Sequence, residues 1–203
     1  KMINQKEEAP LAIYLERFAG LDPEAASARC GAPFDGSGFA FTLLGTPLHL
    51  TWPEGLVEAP EGAPRAASSN PTRILLLRYV CEGVFAPSTG RFLAYRELPW
   101  GAVYDANFSG RCSRRLAGTF AGDLEGFRRA CLALGGREQT LPDASFDLDF
   151  LEGLTVRVAL RYGDDEFPPT SQFLFSDNFV TAFTAEDAAV IGETVIRFLV
   201  SRR

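Results

Sequence analysis

Apolar residues near the start of the chain recur with a helical period. The positions are Leu11, Tyr14, Leu15 and Phe18. They are separated by three, four and seven residues, which places the side chains on one face of an amphipathic helix, and Gly20 supplies a stop. Asp22 and Pro23 then predict a second helix ending by Gly31. Aspartate accepts a free backbone N–H at the N-cap, and proline fits the first helical position.

From Gly38 the apolar period changes to two, which predicts a β-hairpin. The alternating residues are Phe39, Phe41 and Leu43 before the turn, and Leu48, Leu50 and Trp52 after it. Residues 53–70 are rich in Pro, Gly, Ala and Glu, and this composition predicts a flexible loop. Because the loop follows only a short segment, it does not separate two domains, and we expect residues 1–203 to form one.

The middle of the chain predicts three helices and a strand. A helix over 70–83, capped by Asn70, is apolar almost all round, so we expect it to be central. A strand over 92–96 precedes a weaker helix over 101–116, which Gly110 interrupts. The third helix runs over 123–136 between an aspartate cap and a Gly-Gly stop.

The strongest strand signal predicts a second hairpin whose register follows from the sequence. Apolar residues alternate with aspartates over 146–150 and with arginines over 154–162. A tight connection predicts three apolar pairs: Phe146 with Val158, Leu148 with Val156, and Phe150 with Leu154. The same register places Asp147 opposite Arg157, a cross-strand pair of opposite charge. With a last helix capped by Thr184, the chain is predicted to be α+β, with antiparallel hairpins forming a sheet packed with about five to six helices.

Composition and charge narrow the possible partners. The hydrophobic fraction of 46% supplies a sizeable core, and the net charge of -6 argues against a nucleic-acid partner. The basic cluster Arg111, Arg114 and Arg115 is interpreted as a solvated helix face. No apolar run approaches the roughly 20 residues of a membrane span, and the N-terminus lacks a signal-peptide pattern. We therefore expect a cytoplasmic protein with no membrane partner.

The four cysteines predict buried free thiols. Cys30, Cys81, Cys112 and Cys131 are far apart, with no C-x-x-C pair. Zinc and iron–sulfur sites usually contain such close pairs, so no metal cluster and no cofactor is expected. The single histidine, His49, lies on the opposite strand face from Leu48 and Leu50. Without a second histidine or a nucleophile motif, a structural role is favoured over a proton shuttle.

Two groups of residues are candidates for chemistry. Asp164, Asp165 and Glu166 could bind a divalent metal through oxygen, and Gly163 to Phe167 resembles in its letters the signature of diguanylate cyclases. That signature needs a hairpin, whereas Pro168 and Pro169 end any strand here, so a solvated turn is the alternative. The second group, Arg78, Tyr79, Arg96, Glu97 and Tyr104, could line a pocket for an anionic ligand or form an internal polar network.

Several stretches together resemble a known family. They are 28–35, 75–79, 92–99, 134–136, 164–168 and 173–175. In order and spacing they resemble the bacterial and archaeal family called domain of unknown function thirty-seven eighty-six, over nearly the whole chain. The resemblance implies no catalytic residues, because the family has no established activity. Some members carry an added cysteine-rich iron–sulfur segment, which this sequence lacks.

Two functions from different classes follow. The first is a non-catalytic module for a small ligand, such as a small anion, or for a protein partner, with a site near Arg78, Tyr79, Arg96 and Tyr104. The alternative is a carboxylate- or divalent-metal-dependent hydrolase or transferase that uses Asp164, Asp165 and Glu166.

Overall fold

The computed structural model describes residues 8–141 and 143–203, and it has the predicted α+β architecture. Two antiparallel sheets form, where the sequence predicted one. The first has the order β1-β2-β3, with β1 Gly38–Leu43, β2 Thr46–Thr51 and β3 Val57–Glu58. The second has the order β4-β8-β7-β6-β5, with β4 Phe92–Ala94, β5 Arg137–Glu138, β6 Ala144–Leu151, β7 Leu154–Arg161 and β8 Thr170–Ser176.

The helices follow the predicted periods, except for one short helix at Phe179–Ala182, which the sequence did not predict. They are α1 Glu8–Gly20, α2 Pro23–Cys30, α3 Asn70–Glu82, α4 Gly101–Phe108, α5 Arg114–Thr119, α6 Leu124–Ala133, α7 Phe179–Ala182 and α8 Ala185–Ser201. A π-helical turn, Ser109–Ser113, joins α4 to α5. The interruption predicted at Gly110 is therefore a widened turn within one continuous helix.

The helix caps agree with the sequence at three of four predicted positions, Asp22, Asp123 and Thr184. The Asp22 carboxylate accepts the backbone N–H groups of Glu24 and Ala25, as predicted for α2. Thr184 caps α8 as its Oγ1 accepts the Asp187 N–H, and the Asp187 carboxylate accepts the Thr184 N–H. The cap predicted at Asn70 is displaced by one residue, because Ser69 is the N-cap of α3.

The predicted register of the β6–β7 hairpin is confirmed for most of its length. Observed pairs include Phe146 with Val158, Asp147 with Arg157, and Leu148 with Val156. The predicted pair of Phe150 with Leu154 is wrong, since a bulge places Leu151 opposite Leu154. The Leu44 N–H points at the carbonyls of both Asp149 and Phe150, 3.2 Å from each, and so docks the β1–β2 turn on this irregular segment.

Helix α3 is central, as predicted. Its buried residues are Thr72, Leu75, Leu76, Leu77, Tyr79 and Val80. It packs against α1, α2 and α8. The α8 residues Ile191, Val195 and Phe198 are fully buried and belong to the same core cluster. The other side of α3 and α8 lines a cleft.

Residues 53–70 are held by specific contacts. The segment contains β3 and a 3-10 turn, Arg65–Ser68. Arg73 Nε donates to the Gly55 carbonyl over 2.6 Å, and Arg202 Nη2 donates to the Gly62 carbonyl over 3.1 Å. These bonds attach the segment to α3 and to the end of α8, while its flexibility stays a prediction.

The four cysteines are free thiols. Cys30, Cys112 and Cys131 are buried, and burial raises the pKa of the Cys112 thiol to about 12. Within the described ranges, the helices are too short or too polar to cross a membrane. The predicted lack of a signal peptide concerns the first residues, most of which lie outside those ranges.

Candidate functional site

A cleft between α3, α4 and α8 encloses a cavity that six charged side chains line. Its volume is about 680 Å³. The lining residues are Pro10, Pro71, Ile74, Leu75, Arg78, Asn107, Arg111, Glu186, Asp187, Val190, Glu193 and Arg197. Most of them recur every three or four residues, at 71, 74 and 78 on α3 and at 186, 190, 193 and 197 on α8, so each helix presents one face to the cleft. The size is typical of sites for small organic ligands.

Arg78 places a partly unpaired guanidinium in this cleft. Its Nε lies 3.2 Å from Asp187 Oδ1, within ion-pair distance. The Nε is buried but makes no hydrogen bond, so the geometry of the ion pair leaves this N–H unused. The guanidinium carbon lies 5.3 Å from the centroid of the Tyr14 ring, a cation–π contact that orients the group. Among the described residues, none accepts a hydrogen bond from Arg78.

Asp187 closes the cleft beside Arg78. The residue is only 5% exposed, and its Oδ2 accepts the Thr184 N–H as part of the α8 cap. Burial raises the pKa of the Asp187 carboxyl, and the Arg78 charge and the Thr184 N–H offset only part of this rise. One carboxylate oxygen is thus committed to the helix cap, and the other faces Arg78.

The π-helical turn directs Arg111 towards α8. Arg111 Nε lies 2.5 Å from Glu193 Oε1, and Nη1 lies 3.1 Å from both oxygens of Glu186. The side chain is 29% exposed. The interpretation of this basic cluster as a solvated face is therefore wrong for Arg111, whereas Arg114 and Arg115 are exposed as predicted.

Gly192 allows the π-helical turn to lie close to α8. A Cβ at this position would lie 2.6 Å from the Cys112 sulfur, which is too close for real atoms. The Cys112 thiol itself is fully buried and points at the Ala189 carbonyl, 3.4 Å away. A glycine in the middle of α8 is thus explained by the helix that carries Arg111.

Arg197 lies on the same α8 face as Glu186, Val190 and Glu193. It is partly buried, and no described residue forms an ion pair or hydrogen bond with it. The cleft therefore contains two arginines, Arg78 and Arg197, whose guanidinium donors are available to a ligand within the described part of the chain.

The structure does not gather the five predicted ligand-binding residues into one pocket. Arg78 alone lines the cleft, and Tyr79 points to another side of α3, where its hydroxyl donates to the Cys30 carbonyl. Arg96 and Glu97 are exposed in a 3-10 turn after β4, and Tyr104 is half exposed on α4. Neighbouring helix positions point about 100° apart, which separates Arg78 from Tyr79.

Tyr79 instead borders a second cavity of about 340 Å³. Phe41, Phe85 and Leu151 make its walls mainly apolar, and Glu152 is the charged residue among those that line it. Burial raises the pKa of the neighbouring Cys30 thiol and keeps it neutral. This cavity does not suit an anion.

The acidic turn predicted as a metal site is exposed. Asp164 Oδ1 accepts the backbone N–H groups of Glu166 and Phe167 over 2.9 and 2.7 Å, an arrangement that stabilises a turn. Asp165 and Glu166 are exposed as well. Across residues 8–141 and 143–203, no group of three or more His, Cys, Asp or Glu is arranged to hold a metal ion. The geometry therefore gives the predicted metal role of Asp164, Asp165 and Glu166 no support.

His49 lies between two carboxylates. Its Nε2 is 3.2 Å from Asp35 Oδ2, and its Nδ1 is 3.4 Å from Glu58 Oε2. Ser37 Oγ is 3.4 Å from Nε2, but it donates its proton to Asp35 over 2.7 Å. The hydrogen bonds from Ser37 lower the pKa of Asp35 to about 2. Since the serine proton points at Asp35, the group lacks an activated nucleophile, and the structural interpretation of His49 is favoured.

Sequence reasoning missed most of the cleft. Arg111, Glu186, Asp187, Glu193 and Arg197 were not predicted as site residues. A signal existed on α8, where the charged residues Glu186, Glu193 and Arg197 are seven and four residues apart and therefore share one helical face. This spacing alone could not predict that α8 packs beside Arg78 of α3.

Comparison with known proteins identifies a family. The family model described as "Domain of unknown function (DUF3786)" matches residues 22–198. Neither the curated proteins nor the solved structures gave a match. The match includes the cleft residues of α3, α4 and α8.

Proposed function

The chain belongs to the DUF3786 family of domains of unknown function, and we propose a function for it that is based on the cleft. It is a non-catalytic module that binds a small anionic ligand between α3, α4 and α8. The observation that carries the proposal is Arg78, a partly buried guanidinium in a large cavity with no hydrogen-bonded acceptor among the described residues. The Nε faces Asp187 and is closed to solvent, whereas a ligand oxygen can pair with the terminal Nη groups, which make no hydrogen bond to any described residue.

The chemistry of Arg78 suits a carboxylate or a phosphate oxygen. A guanidinium presents a planar set of N–H donors that bind such groups through two parallel hydrogen bonds. The contact with the Tyr14 ring and the ion pair with Asp187 fix its plane before a ligand arrives. Less side-chain entropy is then lost on binding.

The lining of the cleft favours binding over catalysis. The described residues around the cavity include no serine, cysteine or histidine that could act as a nucleophile or as a base near neutral pH. The carboxylates of Asp187 and Glu193 are engaged by Arg78 and Arg111. We therefore carry forward the ligand-binding hypothesis and assign no catalytic residue.

The test is a thermal-shift titration of the full chain with phosphate, sulfate, acetate and benzoate at constant ionic strength. A ligand at 100 times its dissociation constant stabilises the folded state by about 2.7 kcal/mol. For a chain of this size that corresponds to a rise in Tm of about 5 to 10 °C. We expect a saturable rise with at least one of these anions.

Matched variants make the test specific. Arg78→Gln should abolish the rise, and Arg78→Lys should retain only part of it, because lysine keeps the charge but loses the planar fork. Arg96→Gln removes the same charge from an exposed position outside the cleft and should behave like wild type. Equal loss in Arg78→Gln and Arg96→Gln, or no saturable rise at all, would refute the proposal.

A further inference from the structure

Helices α3 and α8 run antiparallel along the cleft. Arg78, in the last turns of α3, contacts Asp187 in the first turn of α8. At the other end, Arg202 after α8 donates to the Gly62 carbonyl, which precedes α3. The lining residues of the two helices can therefore be ordered along a single axis that starts at Arg78.

Along this axis an apolar section lies next to the Arg78–Asp187 contact. One turn away from the Arg78–Asp187 contact, the lining residues are Ile74 on α3 and Val190 on α8. A further turn along, Pro71 lines the α3 side. From Arg78 back to Pro71 the α3 axis advances about 10 Å, so the apolar section on the α3 side is several methylene groups long, while Glu193 and Arg197 line the far end of the α8 side.

The charges of the cleft allow one added negative charge near Arg78. Arg111 is already engaged by Glu193 and Glu186. Asp187 lies beside Arg78, so a ligand with several negative charges at that end would face its carboxylate at close range. The site thus suits a single small anionic group better than a nucleotide or another polyphosphate.

We infer that the ligand is an elongated carboxylate with an unbranched apolar chain. The carboxylate is bound by Arg78, and the alkyl chain lies along Ile74 and Val190 towards Pro71. This inference rests on the proposed function and goes beyond it by specifying the body of the ligand. Apolar burial then contributes to affinity in proportion to chain length.

The experiment measures dissociation constants of the full chain for acetate, butanoate, hexanoate and octanoate by calorimetry or ligand-observed NMR, with hexan-1-ol and inorganic phosphate as comparisons. Affinity should rise by up to about fourfold for each added methylene, as expected for its burial. Hexan-1-ol and phosphate should each bind much more weakly than hexanoate.

Two variants test where the alkyl chain of the ligand lies in the cleft. Ile74→Ala should weaken octanoate binding severalfold and leave acetate unchanged, because only the longer ligand reaches this wall. Ile13→Ala makes the same change at an exposed site of α1 outside the cleft and should have no effect. Retention of the unliganded Tm by both variants shows that the fold is intact.

The outcomes separate this inference from the proposed function. If acetate or phosphate binds through Arg78 but affinity does not increase with chain length, the inference is wrong and the proposed function stands. If hexan-1-ol binds as tightly as hexanoate and Arg78→Gln changes nothing, both are wrong. If none of the probes binds, both are wrong as well.

Discussion

The close approach of Cys112 to Gly192 predicts that Gly192→Ala destabilises the protein when Cys112 is present and stabilises it when the Cys112 sulfur is removed. In Gly192→Ala the new Cβ would lie 2.6 Å from the Cys112 sulfur and 3.3 Å from both the Cys112 Cβ and the Phe108 ring. Overpacking of this kind costs about 1–3 kcal/mol. Alanine is favoured over glycine within a helix by about 1 kcal/mol. The expected net effect is a loss of about 1 kcal/mol.

Removal of the sulfur should reverse this result. In a Cys112→Ala background the methyl group of Gly192→Ala enters the vacated space, so the helix preference is realised, and the substitution should stabilise by up to about 1 kcal/mol. Gly118→Ala is the matched control, because a Cβ on this α5 glycine meets no atom within 4 Å and should stabilise in either background.

The assay is equilibrium unfolding in urea for the four combinations of Gly192 and Cys112. An unchanged slope with denaturant shows that the midpoint reports stability alone. If Gly192→Ala has the same effect with and without the Cys112 sulfur, the close approach of the π-helical turn to α8 is not what requires glycine, and our account of how Arg111 is positioned fails.

Three further predictions use the same urea assay. Tyr79→Phe should lose about 1–3 kcal/mol because the buried Cys30 carbonyl loses its donor, and an unchanged midpoint would contradict this. Asp147→Ala should lose a similar amount, since it breaks a two-bond pair with Arg157 in the centre of the second sheet; a loss below about 0.5 kcal/mol would contradict it. For Asp187 the pKa is raised in the folded state, so its favourable contribution is complete below the unfolded pKa of 3.8 and is lost as pH rises through the folded value. Asp187→Asn should therefore gain stability relative to wild type between acidic and neutral pH, and a difference that stays constant would refute this.

The register of the second hairpin was predictable because local rules determine it. A period of two and a tight turn fixed the Asp147–Arg157 pair, which the structure confirms with two hydrogen bonds. The same rules gave the wrong pair for Phe150. There the β1–β2 turn contacts the strand through the Leu44 N–H, a partner more than 100 residues away in sequence. Such a long-range contact leaves no periodic signal in the strand itself.

The candidate site was less predictable than the fold. Arg78 was selected for its charge and its place in a central helix, and it does line the cleft. Tyr79 is a candidate as an aromatic ring in the same central helix, but adjacent helical residues face different surroundings. Arg111 and Arg197 come from helices distant in sequence, and only packing shows that they face the same cavity. Charge and helical spacing predict which residues share a helical face, but the exposure of that face depends on which helix packs against it.

The π-helical turn also matters for how related sequences should be aligned. Such a turn is a helix with one extra residue, and each residue of an α-helix turns the chain by about 100°. A relative that lacks one residue within 109–113 would form a regular α-helix there, and the side chains after the deletion would rotate away from α8. The positions of Arg111 and Cys112 beside α8 would then be taken by other residues of that relative. A one-residue gap at this place would therefore identify relatives whose cleft is built differently, even where the letters on both sides agree.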